Sequence, residues 1–331
     1  MTITSTLRPA VALVLFASAC TIQQQPPMRA TSVDDHLSHM SAGDVSVPHS
    51  TTSGVTDQGT AGLPPSNNTA AARLAASPRH AEWVKIAWEP GSKDSLMAWI
   101  VYPSTSNAKT PVVVVVHEIF GLSTWVRGVA DQVAADGFIA IAPDLESRVR
   151  GGPSTTELAS DSATKLIRGV TIPERNRGIT AVANYAMSQP SAAQKYSVIG
   201  FCWGGQTVWG HAIDGGKGFS GGVAFYGAFP YMNGPVPAAD SMAKISAPVM
   251  LLSGAKDARI GAAMPALDST MKSLHKDYFG KNYDGATHGF ARAQNDQKPT
   301  RDEAEEAANL SAIVDGWPRT VTFLKKNLGV K

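Results

Sequence analysis

The chain is poor in cysteine, with Cys20 and Cys202 alone among 331 residues. That number excludes a disulfide-built scaffold. An excess of one charge is also missing. Lys and Arg total 29 against 27 Asp and Glu, a formal net charge of +2, which argues against a polyanionic partner such as a nucleic acid. No Phe, Trp or Tyr occurs between Phe16 and Trp83, so this stretch lacks the side chains of a core. The apolar run Val11-Ala12-Leu13-Val14-Leu15-Phe16 is too short to span a bilayer. Internal repeats and metal or cofactor motifs are absent. His36 and His39 form an i, i+3 pair, but a metal site needs more ligands than two.

What is present at the start reads as an export signal. Arg8 precedes the apolar run, and the small residues Ala17-Ser18-Ala19 lead into Cys20, the layout of a cleaved leader. Small residues directly before a cysteine resemble a bacterial lipoprotein signal, in which Cys20 becomes the lipidated first residue. Ala17 departs from that pattern, which prefers Leu there. Ordinary cleavage near Ala19 is therefore the alternative, and an uncleaved N-terminus the third. The chain divides into a signal (1–20), a Ser-, Thr-, Pro- and Gly-rich disordered tether (21–78) and a folded domain (79–331). The expected location is exported and periplasmic, held to the membrane by lipid on Cys20. Cys202 is then a lone thiol, which counts as a reactivity flag and, if exposed, as a target for oxidation.

From Glu82 the pattern becomes globular. Trp83 to Trp88 and Leu96 to Tyr102 predict two antiparallel strands. Pro111-Val112-Val113-Val114-Val115-Val116 is continuously apolar, as in a strand buried on both faces of a parallel sheet. Helix-like segments at Thr124 to Asp136, Pro173 to Met187, Leu267 to Lys276 and Pro318 to Asn327 alternate with strand-like ones at Phe138 to Pro143, Tyr196 to Ile199, Gly221 to Tyr226, Pro248 to Gly254 and Tyr278 to Tyr283. That alternation predicts an α/β fold, a doubly wound and mostly parallel sheet with helices on both faces.

Chemistry concentrates at Gly200-Phe201-Cys202-Trp203-Gly204-Gly205. Glycines flanking a nucleophile between a strand and a helix relieve crowding at a strained turn, a nucleophile elbow with Cys in place of Ser. The helix N-terminus there favours a thiolate. Such an elbow needs an acid and then a histidine, each on a loop after a strand. Asp257 follows the strand Pro248 to Gly254, where it could equally cap a helix. Of eight histidines, His36, His39, His49 and His80 precede or barely enter the folded region. His117 and His211 precede the acid, and His275 sits in a helix-like stretch. His288 remains. Oxyanion donors are expected from the backbone N–H of Trp203 and from that of Ile119, in the loop after the valine strand. Trp125, Tyr226 and Phe229 lie near strand ends and could line a pocket or simply fill the core.

Phe201-Cys202-Trp203-Gly204-Gly205, Asp257, His288-Gly289-Phe290-Ala291-Arg292 and His117-Glu118-Ile119-Phe120-Gly121-Leu122 together resemble the dienelactone hydrolase family of α/β-hydrolases. The resemblance covers about Glu82 to Leu328, and the 31 residues from acid to base suit it. It implies a carboxylic ester hydrolase of the carboxymethylenebutenolidase type. The expected route cleaves a lactone or ester, typically anionic, through a Cys202-His288-Asp257 triad and a thioester. It further implies that Glu118 assists thiolate formation when substrate binds, and that Arg292 holds a substrate carboxylate. A second carboxylate-binding arginine is implied before the Pro173 helix, with Arg148, Arg150 and Arg168 as candidates. Neither metal nor organic cofactor is implied. The alternatives are another esterase or deacetylase on the same fold, or a non-catalytic binding lipoprotein.

Overall fold

The computed structural model describes residues 29–30, 57–105, 109–294 and 302–330. The signal, Cys20, His36, His39 and His49 lie outside the described residues.

The apolar runs build one eight-stranded sheet. Its strands are β2 (Ala81–Ala87), β3 (Ser95–Val101), β4 (Thr110–Val116), β5 (Ile139–Asp144), β6 (Ala192–Phe201), β7 (Phe219–Phe225), β10 (Val249–Gly254) and β11 (Tyr278–Tyr283), in the order β11-β10-β7-β6-β4-β5-β3-β2. The pairs β2–β3 and β3–β5 are antiparallel, and every other pairing is parallel. Strand β4 is buried along its whole length. Val112 to Val116 are fully inaccessible, each worth about 1.5–3 kcal/mol of transfer free energy. From β4 the chain steps to β5 on one side and then to β6 on the other. At such a switch the strand ends diverge and leave a crevice. A separate small sheet joins β1 (Arg29–Ala30), β8 (Tyr231–Asn233) and β9 (Val236–Pro237).

Helices α2 (Thr124–Ala135), α4 (Ile172–Met187), α5 (Trp203–Asp214), α7 (Ala258–Ser273) and α9 (Glu303–Leu328) pack against the large sheet. The remaining ones are short: α1 (Ala70–Ala75), α3 (Ser160–Ile167), α6 (Ala239–Ala243) and α8 (Phe290–Ala293). Local signals explain where they begin. Thr171 and Glu174 form a reciprocal capping box at α4, and Ser123 caps α2. No helix among the described residues is long and apolar enough to cross a membrane.

Three sequence expectations need correction. The closing helix starts at Glu303, capped by Asp302, whose Oδ1 accepts the Glu305 N–H at 2.7 Å, and it carries Pro318 in its interior. An aspartate cap followed by acidic residues in the first turn outweighs proline as a start signal. His275 lies beyond α7 rather than inside a helix, in a left-handed conformation at φ +53°. Finally, part of the stretch read as tether is packed: Leu63 to Asn67 are buried, and α1 lies against α2. Small residues and backbone hydrogen bonds achieve there what composition alone did not announce.

Candidate active site

Cys202 stands between β6 and α5 at φ +54°, ψ −115°, a backbone conformation that costs a non-glycine residue about 1–3 kcal/mol. The elbow persists because its neighbours have no side chains to clash. A Cβ on Gly204 would come within 2.5 Å of the Val116 and His117 carbonyl oxygens, and one on Gly200 within 2.2 Å of the Gly204 oxygen. The Cys202 N–H donates to the Phe225 carbonyl at 3.0 Å. The side chain is fully buried, so the exposure that ready oxidation requires is lacking.

Asp257 follows β10 and uses both oxygens. Oδ1 accepts the Ile260 N–H at 3.2 Å, capping α7, and Oδ2 meets His288 Nδ1 at 2.6 Å. Asp257 thus both caps α7 and hydrogen-bonds the His288 ring. Burial pushes its carboxyl up, but the His288 hydrogen bond and charge, Arg259 and the Ile260 N–H outweigh this and hold it below the ordinary range. Burial opposes an imidazolium on His288, yet the Cys202 sulfur and Asp257 push its pKa up to about 10. With Nδ1 committed to Asp257, the sulfur acts on the Nε2 side. That nitrogen makes no hydrogen bond of standard geometry, a looseness common before substrate binds. The His288 loop is held from outside. Asn309 on α9 accepts the Thr287 N–H at 2.9 Å, and the Ala286 carbonyl accepts the Lys256 N–H at 2.9 Å. Asn309 had no sequence signal beyond a polar residue on a helix.

A second buried pair adjoins the first. Glu118, after β4, accepts from Arg292 Nε at 2.8 Å, and both side chains are 2% exposed. Glu118 Oε1 accepts no hydrogen bond. The Arg292 guanidinium lies 5.4 Å from the Phe120 ring centroid. His117, unassigned from sequence, organises this loop. The Leu145 N–H donates to its Nε2 at 3.2 Å, so Nδ1 carries the proton and donates to the Glu118 carbonyl at 2.7 Å. Burial lowers its pKa, consistent with that neutral ring.

Ile119 and Trp203 are fully buried beside Glu118 and Cys202. The Trp203 indole stacks on His117 at 5.4 Å between ring centroids, and the Arg175 guanidinium lies 4.1 Å from the indole centroid. Arg175 donates to the Val170 carbonyl and to Gln206 Oε1. It has no carboxylate partner among the described residues, and burial lowers its pKa to about 9. The three arginines singled out earlier are engaged or placed elsewhere. Arg148 pairs with Asp94 and Glu174, Arg150 with Asp144, and Arg168 is exposed at the end of α3. Tyr226, at φ +39°, places its ring 5.0 Å from that of His288. Trp125 packs edge-on against Phe201, and Phe229 against Trp209. Among the described residues no group of three His, Cys, Asp or Glu could hold a metal ion.

The model of the dienelactone hydrolase family matches residues 96–328, well over half of the chain. The chain belongs to that family. Dienelactone hydrolase relatives agree with it along most of their length. The "Putative carboxymethylenebutenolidase" of Salmonella typhimurium is 27% identical over 246 residues, covering 73% of this chain and 87% of the relative. The "Probable 2-oxo-3-(5-oxofuran-2-ylidene)propanoate lactonase" of Bradyrhizobium is 27% identical over 255 residues, with 75% and 94% covered. A crystal structure titled as a "Putative Dienelactone Hydrolase" from Klebsiella pneumoniae superposes with a TM-score of 0.59 at 25% identity, covering 74% of this chain and 98% of that one. The protein is a dienelactone hydrolase-like hydrolase on the α/β-hydrolase fold.

Proposed function

We propose that this hydrolase opens a lactone or cleaves a carboxylic ester through a thioester on Cys202. The single observation that carries the reading is His288, held by Asp257 on one nitrogen and acted on by the Cys202 sulfur on the other side. The thiolate attacks the carbonyl carbon, and the N–H groups of Trp203 and Ile119 take the developing oxyanion. As the C–O bond breaks, the leaving alkoxide takes a proton from His288. Water then gives a proton to His288 and attacks the thioester, the C–S bond breaks, and the acid product leaves. Asp257 fixes the imidazole tautomer throughout.

The substrate class is an ester or lactone bearing a carboxylate. Arg292 is its receptor, since a guanidinium fork suits a carboxylate. In the free enzyme Glu118 occupies that receptor. A substrate carboxylate takes its place, and the released Glu118 accepts the thiol proton, while His288 is already the imidazolium that Asp257 stabilises. Once the C–S bond has broken, Glu118 returns its proton to the sulfur. The Bradyrhizobium relative is described as a probable lactonase of a propanoate, which accords with this class. The protein acts outside the cytoplasm, directed by the 1–20 signal and anchored by lipid on Cys20. The test is an ester and lactone panel on the exported form, with and without thiol alkylation. Turnover abolished by alkylation and by Cys202→Ala supports the reading, and full esterase activity in Cys202→Ala overturns it.

A further inference from the structure

The segment from Leu63 to Ala70 lies before the region matched by the family, 96–328, yet it is buried but for Asn68. Leu63, Pro64, Pro65, Ser66, Asn67, Thr69 and Ala70 are all buried. Thr69 closes a tight local turn, its Oγ1 accepting the Ser66 N–H at 2.9 Å. The outward ties go to the site. The Asn67 N–H donates to the Arg292 carbonyl at 2.9 Å. Gln294 Nε2 donates to the Pro64 carbonyl at 2.9 Å and to the Ala291 carbonyl at 2.8 Å, clipping the far end of α8 to the segment. Trp125 Nε1 donates to the Pro65 carbonyl at 2.9 Å, and its ring packs on Phe201, the residue before Cys202. On α2, Gly128 leaves room for Pro65, whose Cγ would lie 2.7 Å from a Cβ there.

Helix α8 has four residues, too few to hold its own shape. The direction of Arg292 therefore depends on what grips the turn from outside, and two of those grips are Asn67 and Gln294. We propose that Leu63–Ala70 is a positioning element of the active site, which fixes the Arg292 turn and so sets the preference for anionic over neutral esters. This rests on the reading of Arg292 as the carboxylate receptor. The segment thus belongs to the enzyme's specificity apparatus and not to its tether.

The experiment compares kcat and KM for a carboxylated lactone and its methyl ester in the full-length protein and three variants. Asn67→Pro removes the N–H that bonds Arg292, Gln294→Leu removes both side-chain donors, and Arg292→Gln removes the receptor. The expected result is a rise in KM of about tenfold for the anionic substrate in Asn67→Pro and Gln294→Leu, with the neutral ester changed less than about twofold. Should Asn67→Pro prove unfolded, Gln294→Leu decides. Parallel loss on both substrates, or no change on either, overturns the proposal while Arg292→Gln still lowers the preference. If Arg292→Gln leaves the preference intact, the receptor reading itself fails, and the positioning role falls with it.

Discussion

Two buried charge pairs meet in this site, and they are built differently. Asp257 and His288 are 31 residues apart and 2.6 Å in contact. Glu118 and Arg292 are 174 residues apart and 2.8 Å in contact. In the first pair both carboxylate oxygens are used, one by the imidazole and one by the α7 cap, and Asn309 holds the histidine loop. In the second, Glu118 keeps one oxygen without a partner, and the arginine rides on a four-residue turn held by a segment outside the matched domain. A pair whose carboxylate oxygens are both engaged is fixed scaffolding. A pair with an unused acceptor can exchange one carboxylate for another at modest cost. Under the proposed mechanism, that contrast makes one pair the orienting one and the other the responsive one.

The largest expected effect comes from breaking the orienting pair. Asp257→Asn leaves a hydrogen-bonding side chain but releases the tautomer, so kcat should fall by about 10³–10⁴ with KM little changed. A loss below tenfold in steady-state kinetics would equate the two pairs and remove the distinction. Breaking the responsive pair should look different. Glu118→Gln frees Arg292 of its resident anion, so KM for a carboxylated substrate should not rise while kcat falls by about 10². The pH profile of Cys202 alkylation should shift in the same variant, and an unchanged profile would separate Glu118 from the sulfur.

A readout of stability instead of turnover sharpens the comparison from beneath the Glu118 loop. Glu146 is fully buried with neither carboxylate oxygen hydrogen-bonded, and its Oε2 would lie 2.8 Å from a Cβ on Gly121. Burial and the neighbouring Asp144 push its pKa from the ordinary 4.5 to about 9. The folded protein therefore retains a proton that the unfolded chain has lost between those pH values. Stability contributed by this group is complete below about pH 4.5 and declines as pH rises to about 9, by roughly 1.4 kcal/mol per pH unit at most. Glu146→Gln should flatten that decline in chemical unfolding measured from pH 5 to 9. A wild-type stability that rises across the same range would contradict the assignment.

Much of this was readable in the sequence, for identifiable reasons. The valines of β4 announce a doubly buried strand because no other element tolerates five consecutive β-branched residues so cheaply. The elbow shows because its glycines are obligatory, and Asp257 and His288 follow from chain order. The Glu118–Arg292 contact was out of reach, since it joins residues whose separation carries no periodic signal; the two were named separately and with separate tasks. Arg175, Asn309 and the ring of His117 were missed because single polar residues acquire their roles from tertiary neighbours. The packed stretch before residue 79 was misread because it is buried through prolines, alanine and backbone donors, not through the aromatics that composition counts.

In the proposed mechanism acyl transfer passes through the Cys202 sulfur. Intact-mass measurement after rapid mixing with a slow ester, followed by peptide mapping, tests it most directly. The expected result is an adduct of the acyl mass on the peptide carrying Cys202, absent in Cys202→Ala and released by hydroxylamine. Continued turnover with the acyl group on another residue, or with Cys202 blocked, would contradict it.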